Sequence, residues 1–241
     1  MRDVQAAELL LRAWRNPAFL LDELPEKLAP LDWAEAHAIQ DRLLEQIGPI
    51  GGYKVGAAGA MAPISFAPLP ESGILNSGTT LVGFHQRWVE AEIAVVISRD
   101  LPLREHSYSD EEVGAAIGSV HPVIEVLNSR FRDTTKIDTL SLGADLIMHG
   151  ALIVGEATTM PDLIHERVSV MIDGTEASHG QGHPARDLPR LLRHLADHVG
   201  LREGQIITTG SWNPITVAPE NGTVGVKFSR AGSVTVQFSK A

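Results

Sequence analysis

The sequence of 241 residues is 44% hydrophobic and 21% charged, which suits one large folded domain, with or without a small helical appendage, and argues against disorder. Thirty acidic against twenty basic residues give a net charge of −10, so phosphate is repelled and neither nucleic acid nor an anionic membrane is an expected partner. The absence of cysteine excludes disulfides, thiolate metal sites and a cysteine nucleophile, and no apolar run approaches the ~18 residues of a membrane span, so a cytoplasmic location is expected.

The first fifty residues read as helices. Val4 to Trp14 sets Leu9, Leu10, Ala13 and Trp14 on one stripe, and Asn16-Pro17 stops it. Asp32, with Glu35 three residues on, predicts a capped helix running to Gly48. The stretch Gly48–Gly52 is the best internal boundary, so an N-terminal helical segment 1–50 and a mixed-β domain 51–241 are expected. Strands are predicted at Tyr53–Ala57, Trp88–Ser98, Ser119–Leu127, Gly150–Val154, Arg167–Ile172, Ile206–Thr209, Thr223–Ser229 and Ser233–Ser239, the last two joined by a hairpin turn at Arg230-Ala231-Gly232. Ser109 and Glu112 open a short helix to Ile117, and Leu188, Leu191, Leu192, Leu195 and Val199 form a helical stripe closed by Gly200. The order lacks regular strand–helix alternation, so the fold class is α+β with a largely antiparallel or mixed sheet.

The segment Trp88–Ile97 carries the strongest chemical signal. Glu90 and Glu92 share one strand face, their Cα atoms about 6.6 Å apart. Ala94 and Val96 continue that face, so it is expected to be buried or to line a cleft. Glu125 sits likewise among apolar strand formers. Three such carboxylates repel one another unless a cation or proton lies between them, and they suit Mg²⁺ or Mn²⁺. The alternative is an exposed edge for Glu90 and Glu92 and an Arg130 pair for Glu125. Lys54, in Gly51-Gly52-Tyr53-Lys54-Val55-Gly56, is placed to bind a carboxylate or transfer a proton; the alternative is a surface lysine in a turn. Its glycine neighbours leave the side chain little core to support.

Other candidates carry less. His194 and His198 have metal-ligand spacing on a helix but lack the zinc-protease glutamate, and are expected to be exposed. His179 and His183 flank Gly180-Gln181-Gly182, read as a connecting loop or a lid; Pro184 argues against a dinucleotide fingerprint. Ser211 follows Gly210 without a hydrolase elbow. His85 is read as structural, and Trp88 and Trp212 as packing residues.

Taken together, several blocks resemble the 2-oxopent-4-enoate hydratase and 4-oxalocrotonate decarboxylase group of the fumarylacetoacetate hydrolase superfamily. They are Gly52–Gly56, Val89–Ala94 with Arg99-Asp100-Leu101, Ile124-Glu125-Val126 with Ser129-Arg130, Ala144-Asp145, His183-Pro184, Gly210-Ser211 and the Gly232-Ser233-Val234 hairpin. The resemblance implies a rolled mixed β-sheet behind small N-terminal helices. It also implies Mg²⁺ or Mn²⁺ held by Glu90, Glu92 and Glu125, and catalytic roles for Lys54, Ser211 and Asp145. The implied partner is a small-molecule 2-oxo acid, and a homo-oligomer is expected. The implied reaction is hydration of a 2-hydroxy-dienoate, with decarboxylation of an oxalocrotonate-type acid, or a non-catalytic subunit role, as alternatives. The chain departs from the family pattern at Asn128 and Leu146 and across Ile64–Pro68, so the departures fall on the substrate side of the site more than on the metal set.

Overall fold

Apolar residues at helical spacing fold the start of the chain into two packed helices. α1 (Arg2–Arg15) buries Ala6, Ala7, Leu10 and Ala13, and α2 (Trp33–Ile47) buries Ala36, Ile39, Gln40, Leu43 and Leu44. The Asp32 carboxylate accepts the Glu35 N–H at 2.8 Å. Glu35 reaches one residue past the capping-box position and accepts the Leu31 N–H at 2.9 Å. The computed structural model describes residues 1–16, 18–183 and 187–240; Pro17 and Pro184, read above as punctuation, lie outside them.

Thirteen strands follow among the described residues: β1 (Ile50–Gly56), β2 (Ser65–Pro70), β3 (Ile74–Asn76), β4 (Thr80–Val82), β5 (Trp88–Ile97), β6 (Ile117–Leu127), β7 (His149–Val154), β8 (Arg167–Ile172), β9 (Thr175–Gln181), β10 (Ile206–Thr208), β11 (Thr216–Val217), β12 (Gly222–Phe228) and β13 (Ser233–Ser239). They form two sheets. The larger runs β2-β1-β10-β5-β6-β7-β3, with β11 also on β5, and the smaller runs β4-β13-β12-β8-β9. Each mixes parallel and antiparallel pairs: β1–β10 and β3–β7 are parallel in the first, β4–β13 in the second. The architecture is α+β, completed by α3 (Asp110–Gly114), α4 (Thr139–Ala144) and α5 (Leu188–Val199).

Period-two patterning decides which way β5 faces. Val89, Ala91, Ile93, Val95 and Ile97 share one core with Val168, Val170, Val224, Val226, Val234 and Val236 of the smaller sheet. The glutamate side of β5 therefore looks away from that sheet. A second apolar cluster joins α1 and α2 to Phe131, Ala144 and Leu146. Among the described residues no helix is long and apolar enough to cross a membrane.

Several predicted boundaries are corrected. The helix opened by Ser109 stops at Gly114, and Ile117 already belongs to β6. The proline-bearing stretch Ser65–Pro70 forms an edge strand, where the missing N–H of proline can face outward. The expected loop or lid at His179–His183 is largely edge strand β9. A Cβ on Gly180 would stand 1.8 Å from the Trp212 carbonyl oxygen, so this glycine admits a close backbone contact. His179 is exposed, whereas His183 is buried with Nε2 2.7 Å from the Thr209 carbonyl. Of the helix pair, His198 is exposed as expected, but His194 is half-buried, with its ring centroid 5.8 Å from that of Phe66.

Candidate metal centre

The β5–β6 ladder assembles the acidic cluster. Its antiparallel register sets Glu90 opposite Glu125 and Glu92 opposite Val123, so all three carboxylates project from one face. One oxygen from each lies within 4.8 Å of the others. Glu92 and Glu125 are buried, at 2% and 0% exposure, and Glu90 is half-buried on a cavity wall.

Burial sets the electrostatics of this cluster. Removal from water pushes Glu90 up to about 7 against the opposing charge of Lys54. Burial, with the charges of Glu125 and Glu90, pushes Glu92 up to about 8. Burial pushes Glu125 the same way, but Lys54 and His149 outweigh it and hold this carboxyl below its ordinary value. For Lys54, burial favours the neutral amine, yet Glu125 and Glu90 prevail and keep the ammonium charged.

Lys54 reaches the cluster from β1, where it pairs in register with Thr208 of β10 and Ala67 of β2. The surrounding glycines serve strand packing: a Cβ on Gly52 would come within 1.9 Å of the Ile206 carbonyl oxygen. Lys54 is therefore neither a turn residue nor a surface one. It is buried, and its Nζ donates to Glu125 Oε1 and, at 3.2 Å, to the Ile147 carbonyl. The alternative Arg130–Glu125 pair is likewise corrected, because Arg130 pairs with Asp145.

A cavity of about 480 Å³ opens on this cluster, walled by Lys54, Glu90, Glu92, Thr208, Gly210 and Ser211 on its polar side. Val55, Leu127, Ile147, Met148 and Ile215 supply apolar wall. The Gly210 N–H donates to Glu92 Oε2 at 2.8 Å, and the Ser211 hydroxyl donates to the Asn213 carbonyl at 2.9 Å. Lys54, Ser211 and the three glutamates are thus brought together. Asp145 is not: it lies outside the cavity lining, and its carboxylate accepts from Ser129 Oγ, the Arg130 N–H and Arg130 Nε. The expected place of Asp145 at the site is corrected: the structure sets it against Ser129 and Arg130 instead of on the cavity wall.

The residues present fit a hard divalent cation. Glu125 Oε2 is buried with no hydrogen-bond partner, and three clustered carboxylates form an oxygen-only donor set. His149 is the neighbour of this cluster that sequence reasoning missed. It is fully buried on β7 with Nδ1 3.6 Å from Glu125 Oε1, and burial keeps its imidazole neutral-favouring. A lone histidine before an apolar strand carries no periodic signal that separates it from a packed core histidine.

Residues 58–238 match the family model described as fumarylacetoacetate (FAA) hydrolase C-terminal. The chain is 29% identical over 169 residues to a protein of Burkholderia vietnamiensis named 2-keto-4-pentenoate hydratase, covering 66% of this chain and 63% of that one. A protein of the same name from Paraburkholderia phymatum is 30% identical with the same coverage. The aligned stretch thus spans less than two thirds of these relatives' length. Dechloromonas aromatica 2-keto-4-pentenoate hydratase 1 aligns over 98% of this chain and 97% of its own at 25% identity. Among solved structures, 4-oxalocrotonate decarboxylase from Pseudomonas putida G7, complexed with magnesium and adipate, superposes with a TM-score of 0.81 over 97% of both chains at 22% identity. That likeness speaks to fold.

Proposed function

The chain belongs to the fumarylacetoacetate hydrolase C-terminal family, and from that premise we propose that it is a divalent-metal-dependent lyase that adds water to a 2-hydroxy-dienoic acid. One observation carries the reading: three carboxylates cluster with a buried lysine, and Glu90, Glu92 and Lys54 of this group line one side of an otherwise largely apolar cavity. Glu90, Glu92 and Glu125 would hold Mg²⁺ or Mn²⁺, which supplies Lewis acidity toward the substrate's 2-oxygen when bound.

The remaining work falls to side chains of this protein. The Lys54 ammonium binds the substrate carboxylate and holds a proton beside the reacting carbons. The Gly210 N–H restrains Glu92, one of the three proposed ligands. Ser211 offers a hydroxyl at the cavity wall, from which it can orient water or substrate. The wall formed by Val55, Leu127, Ile147, Met148 and Ile215 receives the hydrocarbon tail and keeps bulk water from it.

Charge favours hydration of a monoacid over decarboxylation of a diacid. Among the described residues lining the cavity, Lys54 is the one cationic side chain, so the far carboxylate of a diacid, beyond reach of the metal, meets no protein counter-ion there. The deciding experiment follows the dienol chromophore with a panel of 2-hydroxydienoates and oxalocrotonate in H₂¹⁸O with Mg²⁺. Hydration places the label on the new hydroxyl-bearing carbon. Release of CO₂ without that label would replace this reading by the decarboxylase one.

A further inference from the structure

Three consecutive non-glycine residues, Leu146, Ile147 and Met148, hold left-handed backbone, with φ of 52°, 49° and 60°. Each is unfavourable for an L-residue, because Cβ crowds the following carbonyl oxygen. A run of three persists only where its surroundings over-determine it. The Asp145 carboxylate accepts from Ser129 Oγ at 2.7 Å, from the Arg130 N–H at 3.0 Å and from Arg130 Nε. Three of the remaining Arg130 guanidinium N–H groups donate to the carbonyls of Asn128, His149 and Asp145, each at 2.7 Å. Backbone bonds close the turn, from the Met148 N–H to the Asp145 carbonyl at 2.9 Å and from the Asn128 N–H to the Met148 carbonyl at 2.8 Å. Leu146 is sunk in the helical core cluster.

Two residues of this turn reach the site, and one of them also through its carbonyl. Ile147 and Met148 line the cavity, and the Ile147 carbonyl accepts from Lys54 Nζ. We propose that the left-handed turn, locked by the buried Arg130–Asp145 pair, is the specificity-determining wall of the cavity, setting the length of the apolar tail that fits a 2-oxo acid whose carboxylate lies at Lys54. Arg130 and Asp145 act as positioning residues. The inference rests on reading the cavity as a 2-oxo acid site.

The test uses the full chain loaded with Mg²⁺ and three saturated acids that offer no carbon–carbon double bond for water to add across: 2-oxobutanoate, 2-oxohexanoate and 2-oxooctanoate. Calorimetry on the unsubstituted protein shows a length preference, with affinity falling at least tenfold toward the longest acid. Ile147→Gly, which keeps a residue at ease in left-handed backbone while removing the wall, binds 2-oxooctanoate at least tenfold more tightly with Mg²⁺ affinity unchanged. Asp145→Asn keeps both wall side chains yet loses the length preference. Its amide hydrogen exchange accelerates across 145–149 and stays as before across 90–97, which a general loss of stability does not produce.

An unchanged length profile in Ile147→Gly overturns the proposal, and this variant decides the matter where Asp145→Asn fails to fold. A folded Asp145→Asn with the original profile and exchange overturns it as well. Hydration of a dienoate by a protein with a flat length profile sinks the turn and leaves the proposed reaction standing. A length preference without hydration does the reverse, and binding of none of the three acids removes both.

Discussion

Glu90 and Glu125 stand directly opposite one another in the β5–β6 ladder. Like charges at this position repel, and burial denies them the screening of water. Lys54 offsets part of that repulsion, but its ammonium is bonded to Glu125 alone among the three acids. The arrangement calls for a further positive charge or for protons.

Mg²⁺ or Mn²⁺ is expected to raise the thermal midpoint, because an ion that binds only the folded chain adds about 2.7 kcal/mol at a hundredfold excess over its Kd. Glu125→Gln should abolish the rise while leaving the circular dichroism spectrum of the metal-free protein unaltered. A midpoint indifferent to both ions, at millimolar excess and pH 8, refutes a metal centre here.

Protonation supplies the second expectation. Folding raises Glu90 from 4.5 to about 7 and Glu92 from 4.5 to about 8. A raised folded value means that the metal-free fold binds protons the unfolded chain has released. The stability these groups contribute is therefore complete below about 4.5 and lost as pH climbs through about 7 to 8. Metal binding needs both groups ionised, so Mg²⁺ affinity should rise between pH 6 and 8.5. On the order of one to two protons should be released per ion at pH 6, falling toward zero at pH 9. Calorimetry in buffers of differing ionisation enthalpy reads that number, and a pH-independent value contradicts the proposed ligands.

Lys54→Met tests the lysine. The sequence suggests a side chain with little bearing on stability, but the buried pair with Glu125 changes that expectation. Removing one partner of such a pair costs about 3–5 kcal/mol, and saturating Mg²⁺ should restore much of the loss. With the competing ammonium gone, Mg²⁺ affinity should rise, whereas kcat/KM should drop by roughly 10²-fold or more. Normal turnover by this variant would exclude Lys54 from the chemistry.

Gly180→Ala addresses β9. A methyl group driven against the Trp212 carbonyl forces the edge strand away from its neighbour, at a cost of about 1–3 kcal/mol. Denaturant melts measure the cost. If stability holds while turnover alone slows, Gly180 is a moving part after all.

Much of this is legible in the sequence, for physical reasons. The alternation around Glu90 and Glu92 fixes a shared face whatever the neighbouring strands, and the apolar setting of Glu125 marks burial. The hairpin of β12 and β13 follows from clean period-two patterning around Gly232, whose φ of 93° suits glycine. Edge strands were not legible, because β2 carries two prolines and β9 has neither apolar alternation nor a buried residue. The partner of Lys54 was not legible either, since it lies 71 positions away and only the β1–β10–β5–β6 order brings it near. Asp145 shows the limit of motif reading: position in a block does not reveal whether a carboxylate points at substrate or at an arginine.

The helical cluster has a bearing on how substrate range can change. Among the described residues lining the cavity, none comes from the first fifty. Yet Trp14 lies under the Arg130 guanidinium at 4.5 Å, and Gln40 Nε2 donates to the Gly143 carbonyl at 2.7 Å, just ahead of the left-handed turn. The two N-terminal helices are thus the foundation on which one wall of the cavity stands, and they lie before residue 58, where the family match begins. With the turn setting tail length as proposed, drift in α1 and α2 would be a route to new tail preferences with every cavity-lining residue unchanged.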